Sequence, residues 1–128
     1  MSQIKCGACE KIITPSLDKK YGMPGYPWRR EAEGILSDLT ANVMILDNGE
    51  KKIVLVSLDL LYVITSWVDE LRTALVEKFG LDYDSIMVTA THTHTGSPTP
   101  GGTWNNEFVE NSAFVAEKVI SAVGEALE

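Results

Sequence analysis

The chain has 128 residues, of which 45% are hydrophobic and 23% are charged, enough apolar material for one domain core, which excludes intrinsic disorder as the main state. Its 18 acidic and 11 basic residues give a net charge of −7. A chain with this net negative charge has no long-range positive field to attract nucleic acids, so we expect no nucleic-acid partner.

The first predicted element is a strand from Cys6 to Thr14, ended by Pro15. The residues before it, 1–5, contain no apolar leader segment, so we expect a cytoplasmic location. Cys6 and Cys9 have the spacing of a redox pair or of half a zinc site. A redox pair of this type begins a helix, however, and a zinc site needs two more ligands nearby. We expect both cysteines to be buried or half-buried small apolar residues, with redox or metal chemistry as the alternative.

A long loop is predicted over residues 16–33, where prolines and glycines interrupt both helical and strand patterns. It carries three aromatic residues, Tyr21, Tyr26 and Trp28. Loops of more than about 12 to 15 residues are usually functional or mobile. We interpret residues 21–30 as a candidate wall of a site. The alternative is that the aromatic side chains only pin the loop to the core.

A β-hairpin is predicted next, with strands over 41–46 and 53–58 around Asn48-Gly49, a dipeptide that tolerates positive φ. The second strand is apolar on both faces, which predicts a central strand with helices packed on both faces of the sheet. The apolar run of residues 53–64 contains Ser57 and Asp59. It is too short and too polar to cross a bilayer, so we expect no membrane span.

A helix is predicted from Ser66 to Phe79, with Ser66 as its N-cap and Gly80 at its C-terminal end. A short apolar strand follows over residues 86–91, and the three elements together predict a right-handed βαβ unit with parallel strands. A last amphipathic helix is indicated by Phe108, Val115, Val119, Ala122, Val123 and Leu127. Because no stop signal precedes Glu128, we expect a truncated chain. The predicted fold class is α/β: residues 1–128 form one domain with a mixed sheet, part of a larger catalytic domain.

Residues suited to chemistry follow the two predicted parallel strands. Asp59 follows the first strand, and His92 and His94 follow the second. In open α/β sheets ligands bind beyond the carboxyl ends of the strands. Residues i and i+2 of an extended backbone share a face, so the two imidazoles could converge on one metal ion or one substrate atom. The glycine-rich turn over residues 96–102 would let a ligand approach the backbone.

Each of these residues also has a structural interpretation. His92 and His94 could be satisfied polar residues at a strand end, although metal ligation or acid–base catalysis is favoured. Asp59 could orient a histidine through its second nitrogen, or it could bond backbone amides in the loop before the helix. The remaining polar segment, which we interpret as the start of the last helix, is Trp104, Asn105 and Asn106.

Several segments together resemble the N-terminal portion of neutral/alkaline non-lysosomal ceramidases. They are residues 7–15, the loop ending at Gly25-Tyr26, residues 54–61 and above all the Thr-His-Thr-His segment of residues 90–96. The chain departs from the family pattern at residues 95–98, in the turn after the motif, and at residues 35–38. The second departure indicates a divergent subgroup whose substrate need not be ceramide.

The resemblance implies a zinc-dependent amidase in which His92 is a zinc ligand and His94 is an acid–base or substrate-polarising residue. It also implies that the remaining zinc ligands and a catalytic serine come from a longer chain, since no further histidine is present. The expected ligand is a small-molecule amide substrate. The expected protein partner is a second copy of the chain in a homo-oligomer or a missing C-terminal portion. The competing hypothesis is a non-catalytic α/β module that binds a ligand or a partner.

Overall fold

A computed structural model describes residues 3–18, 20–99 and 106–128, with the side chains of the last segment described from Glu110 onward. The strands are β1 (Lys5–Ile12), β2 (Gly22–Met23), β3 (Arg30–Glu31), β4 (Thr40–Asp47), β5 (Lys52–Leu58) and β6 (Ile86–Ala90). The helices are α1 (Thr65–Phe79) and α2 (Asn106–Ala126), with a 3₁₀ turn at Tyr83–Ser85.

Four strands form one mixed sheet in the order β1-β4-β5-β6. The pairs β1/β4 and β4/β5 are antiparallel, whereas β5 and β6 are parallel, with Leu58 opposite Ala90 at their carboxyl ends. Because α1 connects β5 to β6, the predicted βαβ unit is present and its two strands are direct neighbours. The α/β fold class is therefore confirmed.

The predicted hairpin is also present and has a local cause. Gly49 has a φ of 89°, a conformation that glycine adopts at no steric cost. The side-chain oxygen of Asn48 accepts hydrogen bonds from the amides of Glu50 and Lys51 at 3.0 and 2.8 Å. These bonds satisfy the turn and fix the register that pairs Val43 with Val56.

One face of the sheet forms the core, and both described helices pack on it. Val43, Val56 and Val88 share this face, as their register shows. A Cβ on Gly7 would lie 1.8 Å from the carbonyl oxygen of Ala126, so α2 runs directly over β1. The two helices and this sheet face contribute side chains to one core cluster: Ala41, Val43, Ile45, Val54, Val56, Leu58, Trp67, Val68, Leu71, Leu75, Ile86, Val115, Val119, Ala122 and Val123.

The opposite face of the sheet is open over the residues that the structure describes. Met44, Ile53 and Met87 on this face are 38%, 44% and 54% exposed. The expectation of helices on both faces therefore differs from the observed arrangement within the described ranges. The apolar second face of β5 carries Leu55, which is half-buried without a covering helix. The sequence pattern correctly predicted that the second face of β5 is apolar, but it could not identify what covers this face.

The prediction for helix α1 is wrong about its N-terminal cap and correct about its C-terminal end. Its N-cap is Ile64, with no side-chain hydrogen bond, so the prediction of a Ser66 cap is wrong. Thr65 and Ser66 already belong to the first turn. Gly80 has a φ of 65° and donates its amide to the Val76 carbonyl at 2.9 Å, so the predicted C-terminal signal is confirmed.

The two cysteines lie on opposite faces of the sheet because side chains alternate along a strand. Cys9 is opposite Val43 on the core face and is half-buried, as expected. Cys6 is opposite Leu46 on the open face and is exposed, so the expectation of burial is wrong for this residue. Both thiols are free.

Two further predictions concern the loop and the last helix. The long loop contains a two-residue antiparallel ladder, in which Gly22 pairs with Glu31 and Met23 with Arg30. The start of α2 at Asn106 agrees with its interpretation, while Trp104 and Asn105 lie outside the described residues, as does the side chain of Phe108. Among the helices described, none has the length and hydropathy of a membrane span.

Candidate functional site

The candidate site lies where the parallel strands β5 and β6 end. The backbone of the segment after β6 stays tied to the segment after β5. Thr91 donates its amide to the Leu58 carbonyl at 2.9 Å, and His92 and Thr93 donate theirs to the Leu60 carbonyl at 3.0 and 3.2 Å. The structure therefore brings the segments of Asp59, His92 and His94 to one edge of the sheet, where the sequence places them.

His92 has an unusual backbone conformation. Its φ of 66° makes it the one non-glycine residue with positive φ among those described, a conformation that costs roughly 1–2 kcal/mol. The backbone is thus not extended here, so the spacing of i and i+2 does not by itself explain the meeting of the two imidazoles. Their ring centroids nevertheless lie 5.2 Å apart, with the planes at 88°. Strain of this kind persists only where surrounding bonds hold it, as they do at Leu60.

A hydrogen bond also fixes the tautomer of the His92 imidazole. Its Nδ1 lies 2.8 Å from the Leu61 carbonyl oxygen. A carbonyl only accepts hydrogen bonds, so Nδ1 carries the proton and donates. The lone pair of the neutral ring is then on Nε2, which is the arrangement that metal-binding histidines commonly have. His92 is exposed, so this nitrogen is accessible to a ligand.

His94 contacts the long loop that precedes β4. Gly25 has a φ of 85°, and a Cβ at this position would lie 2.3 Å from Nδ1 of His94. The Tyr26 ring meets the His94 ring edge-on, with centroids 5.9 Å apart. The loop thus forms a wall beside His94. Tyr21, in contrast, is buried and pins the loop to the domain, so the two interpretations of the aromatic residues apply to different residues.

Asp59 has contacts other than the two that its position suggested. Its Oδ2 accepts hydrogen bonds from the amide and hydroxyl of Thr40 at 3.0 and 2.9 Å, and its Oδ1 accepts one from the Thr91 hydroxyl at 3.1 Å. These bonds join the start of β4 to the ends of β5 and β6. Asp59 therefore positions the sheet edge on which the histidines lie, and a direct role for it in chemistry stays a prediction.

A cleft of about 1260 Å³ opens beside this edge. Asp59, Thr93 and Gly96 line it on the side of the sheet, and the long loop lines it with Tyr21 and Arg30. Gly96 is buried, and a Cβ there would lie 3.1 Å from the Thr93 side chain. The cleft has room for a small-molecule ligand.

Sequence reasoning missed three features of the site. The Leu61 carbonyl has no sequence signal, because every residue has one. The contact of Gly25 with His94 joins distant parts of the chain, although glycine in an aromatic loop is a weak indication of a close approach. Thr40, the donor to Asp59, resembles any polar residue at the start of a strand.

A buried polar cluster supports the turn after the histidines. The amide nitrogen of Asn111 on α2 donates to the Ser97 hydroxyl at 3.2 Å and to the Pro98 carbonyl. Ser97 and Asn111 are each 3% exposed, and Thr99 is fully buried. These bonds anchor Ser97 and Pro98 to α2, while residues 100–102 of the predicted glycine-rich turn lie outside the described residues.

The resolved pKa shifts lie away from the candidate site. Lys11 contacts Glu125 on α2 and lowers the pKa of that carboxyl, while the carboxylate raises the pKa of Lys11. Burial, reinforced by Glu125, raises the pKa of the Cys9 thiol. A raised pKa disfavours the reactive thiolate, which argues against redox chemistry at Cys9.

The metal-binding capacity of the site is partial. Among the residues that the structure describes, no three histidine, cysteine, aspartate or glutamate side chains form a group able to hold a metal ion. His92 and His94 are the candidates, because their rings are adjacent and Nε2 of His92 carries a lone pair. A catalytic zinc normally has three protein ligands. These residues therefore account for at most two of them.

The fold is similar to that of ceramidases. Neutral ceramidase from Pseudomonas aeruginosa matches 97% of this chain with a TM-score of 0.81 and 20% identity, and a structure of ceramidase complexed with C2 matches 97% with a TM-score of 0.82 and 19% identity. This chain covers 21% of each of those chains. No protein-family model matches the sequence, and no curated protein sequence matches it. The similarity establishes a ceramidase-like fold.

Proposed function

We propose that this chain is the N-terminal part of a zinc-dependent hydrolase of linear amide bonds, similar to ceramidases. The observation that carries the proposal is the 2.8 Å bond from Nδ1 of His92 to the Leu61 carbonyl, which leaves Nε2 available as a ligand. The ceramidase-like fold supports it, since the histidines lie at the carboxyl edge of the matching sheet.

The residues present fit a share of a zinc site. His92 would hold the ion through Nε2, and its strained backbone and its bond to Leu61 fix the ring before any ion binds. Zinc, when bound, lowers the pKa of a water ligand and polarises a carbonyl group. Asp59 is occupied by Thr40 and Thr91, so we assign it a positioning role at this edge. The remaining ligands and the nucleophile would come from polypeptide outside this segment.

His94 would act on the substrate rather than on the ion. Its ring lies between the His92 ring and the Tyr26 ring, at 5.2 and 5.9 Å from their centroids. It is exposed at the end of the sheet. An imidazole that reaches a bound substrate can serve as a general acid or base. The partner is a small-molecule amide that enters the cleft beside the loop.

The test compares zinc binding by the chain and by His92→Ala and His94→Ala. The unchanged chain should bind zinc weakly, because His92 as the one imidazole ligand leaves most of the coordination to water. His92→Ala should abolish this binding, whereas His94→Ala should leave it largely in place. Glu77→Gln, at an exposed position of α1, serves as the control.

Three outcomes would overturn parts of the proposal. Equal zinc loss in both histidine variants would remove the division of roles. Tight stoichiometric zinc in the unchanged chain would contradict the incomplete site and indicate a third ligand, such as Asp59 or a second copy. Absence of zinc binding would favour the competing hypothesis of a non-catalytic binding module.

A further inference from the structure

The cleft carries a cation whose charge is not used within the described part of the chain. Lys20, Arg29 and Arg30 all line it. Glu31 pairs with Arg29 at 3.1 Å and with Lys20 at 4.0 Å. Arg30 is exposed and forms no ion pair with any carboxylate that the structure describes.

Two other carboxylates of the cleft, Asp59 and Asp38, have contacts away from Arg30. Asp59 accepts three hydrogen bonds from Thr40 and Thr91, and Asp38 accepts one from the Thr14 hydroxyl at 2.9 Å. Glu33 also lines the cleft, at an exposed position. The positive charge of Arg30 is therefore left for a ligand.

An aromatic ring holds the Arg30 guanidinium near the histidines. Its Cζ lies 5.1 Å from the centroid of the Tyr26 ring, in cation–π geometry. The same ring lies 5.9 Å from the His94 ring. These two steps keep the guanidinium within about 11 Å of the His94 centroid. A cation–π contact engages the guanidinium through its charge, and guanidinium N–H groups match an oxyanion in bidentate geometry.

We propose that the cleft takes an amide whose polar end carries an oxyanion, a carboxylate or a phosphate, and that Arg30 binds this group while Tyr26 orients Arg30. The inference rests on the proposed function for the identity of the amide, but the oxyanion site itself does not depend on zinc. The oxyanion would distinguish the expected substrate from a neutral amide. Arg30 is a specificity-determining residue in this account.

The experiment measures binding to the isotope-labelled 128-residue chain by NMR titration, without zinc. The probes are N-hexanoylglycine, its uncharged glycinamide, and N-hexanoylethanolamine phosphate. The first and third should bind about tenfold more tightly than the amide, because a charge-assisted pair with Arg is added. Whichever of the two binds more tightly identifies the oxyanion as a carboxylate or a phosphate.

Variants separate Arg30 from the general charge of the cleft. Arg30→Gln should abolish the preference for charged probes, and Arg30→Lys should restore only part of it. Lys20→Gln, which removes one charge from the same cleft, should preserve it. Equal binding of charged and neutral probes, or equal losses in Arg30→Gln and Lys20→Gln, would overturn the proposal. Failure of zinc binding with a retained oxyanion preference would reject the hydrolase proposal while leaving this one intact.

Discussion

Gly25 controls the position of His94, and Gly25→Ala tests this directly. An alanine at a φ of 85° is strained by roughly 1–2 kcal/mol, and its Cβ would lie 2.3 Å from Nδ1 and 2.6 Å from Cε1 of His94. Since real Cβ contacts are longer than 3.0 Å, the ring must move by at least about 0.7 Å (3.0 − 2.3 Å). An exposed ring can do so by leaving its rotamer, at a further cost of about 0.5–1.5 kcal/mol.

The control for this variant is Gly49→Ala. Gly49 has nearly the same φ, 89°, but a Cβ there meets no atom within 4 Å. Urea unfolding should therefore show a loss of about 1–2 kcal/mol for Gly49→Ala and a larger loss for Gly25→Ala. Most of the excess should vanish in the double variant Gly25→Ala/His94→Ala, because the clashing ring is gone and the 3.1 Å approach to Cδ2 of Leu61 is the closest one left. Equal losses for the two glycine variants, or an excess that persists undiminished without His94, would refute the close contact.

Three further predictions follow from other contacts. Asp59→Asn should lower the free energy of unfolding by about 1–3 kcal/mol, since Oδ2 accepts hydrogen bonds from both the amide and the hydroxyl of Thr40. The variant should leave zinc binding unchanged. A change in zinc binding without a change in urea unfolding would contradict the positioning role of Asp59. The Lys11–Glu125 pair should stabilise the fold across neutral pH. Because the folded-state pKa of Glu125 is lowered, the contribution of Glu125 should be lost as the pH falls through this lowered pKa. Because the folded-state pKa of Lys11 is raised, the contribution of Lys11 should be lost as the pH rises through this raised pKa. Glu125→Gln should flatten this pH dependence in thermal unfolding, and an unchanged profile would contradict it. The chain should self-associate at high concentration through its open sheet face, and Met87→Glu should reduce the association seen by sedimentation; a monodisperse monomer of the unchanged chain would count against this prediction.

The elements that local signals define were predictable from the sequence. The Asn48-Gly49 turn sets the register of β4 with β5, and Gly80 ends α1, because these glycines act through the backbone next to them. The prediction of a Ser66 cap is wrong, because α1 begins at Thr65 with Ile64 as its N-cap. A Ser-x-x-Asp pattern does not by itself determine where the first turn begins. The placement of both helices on one face, and the exposure of Cys6, depend on contacts between distant segments.

The candidate site shows the same division. Topology alone placed His92 and His94 at the carboxyl edge of the sheet, since both follow a strand parallel to β5. The positive φ of His92 and its bond to the Leu61 carbonyl arise from the packing of two neighbouring segments, which residue types do not encode. The proposed role of Arg30 depends on the fold of the loop, because its support comes from the cation–π contact with Tyr26.

The most direct test of the central claim is a measurement of the ring nitrogens of His92 by long-range ¹H–¹⁵N correlation NMR. At a pH where the ring is neutral, we expect a proton on Nδ1 and a lone pair on Nε2, because Nδ1 donates to the Leu61 carbonyl. Added zinc should then shift the Nε2 resonance of His92 first. A proton on Nε2 of the free chain, or a zinc-induced shift at Nδ1 of His92 or at neither nitrogen, would contradict the assignment of His92 as the metal ligand.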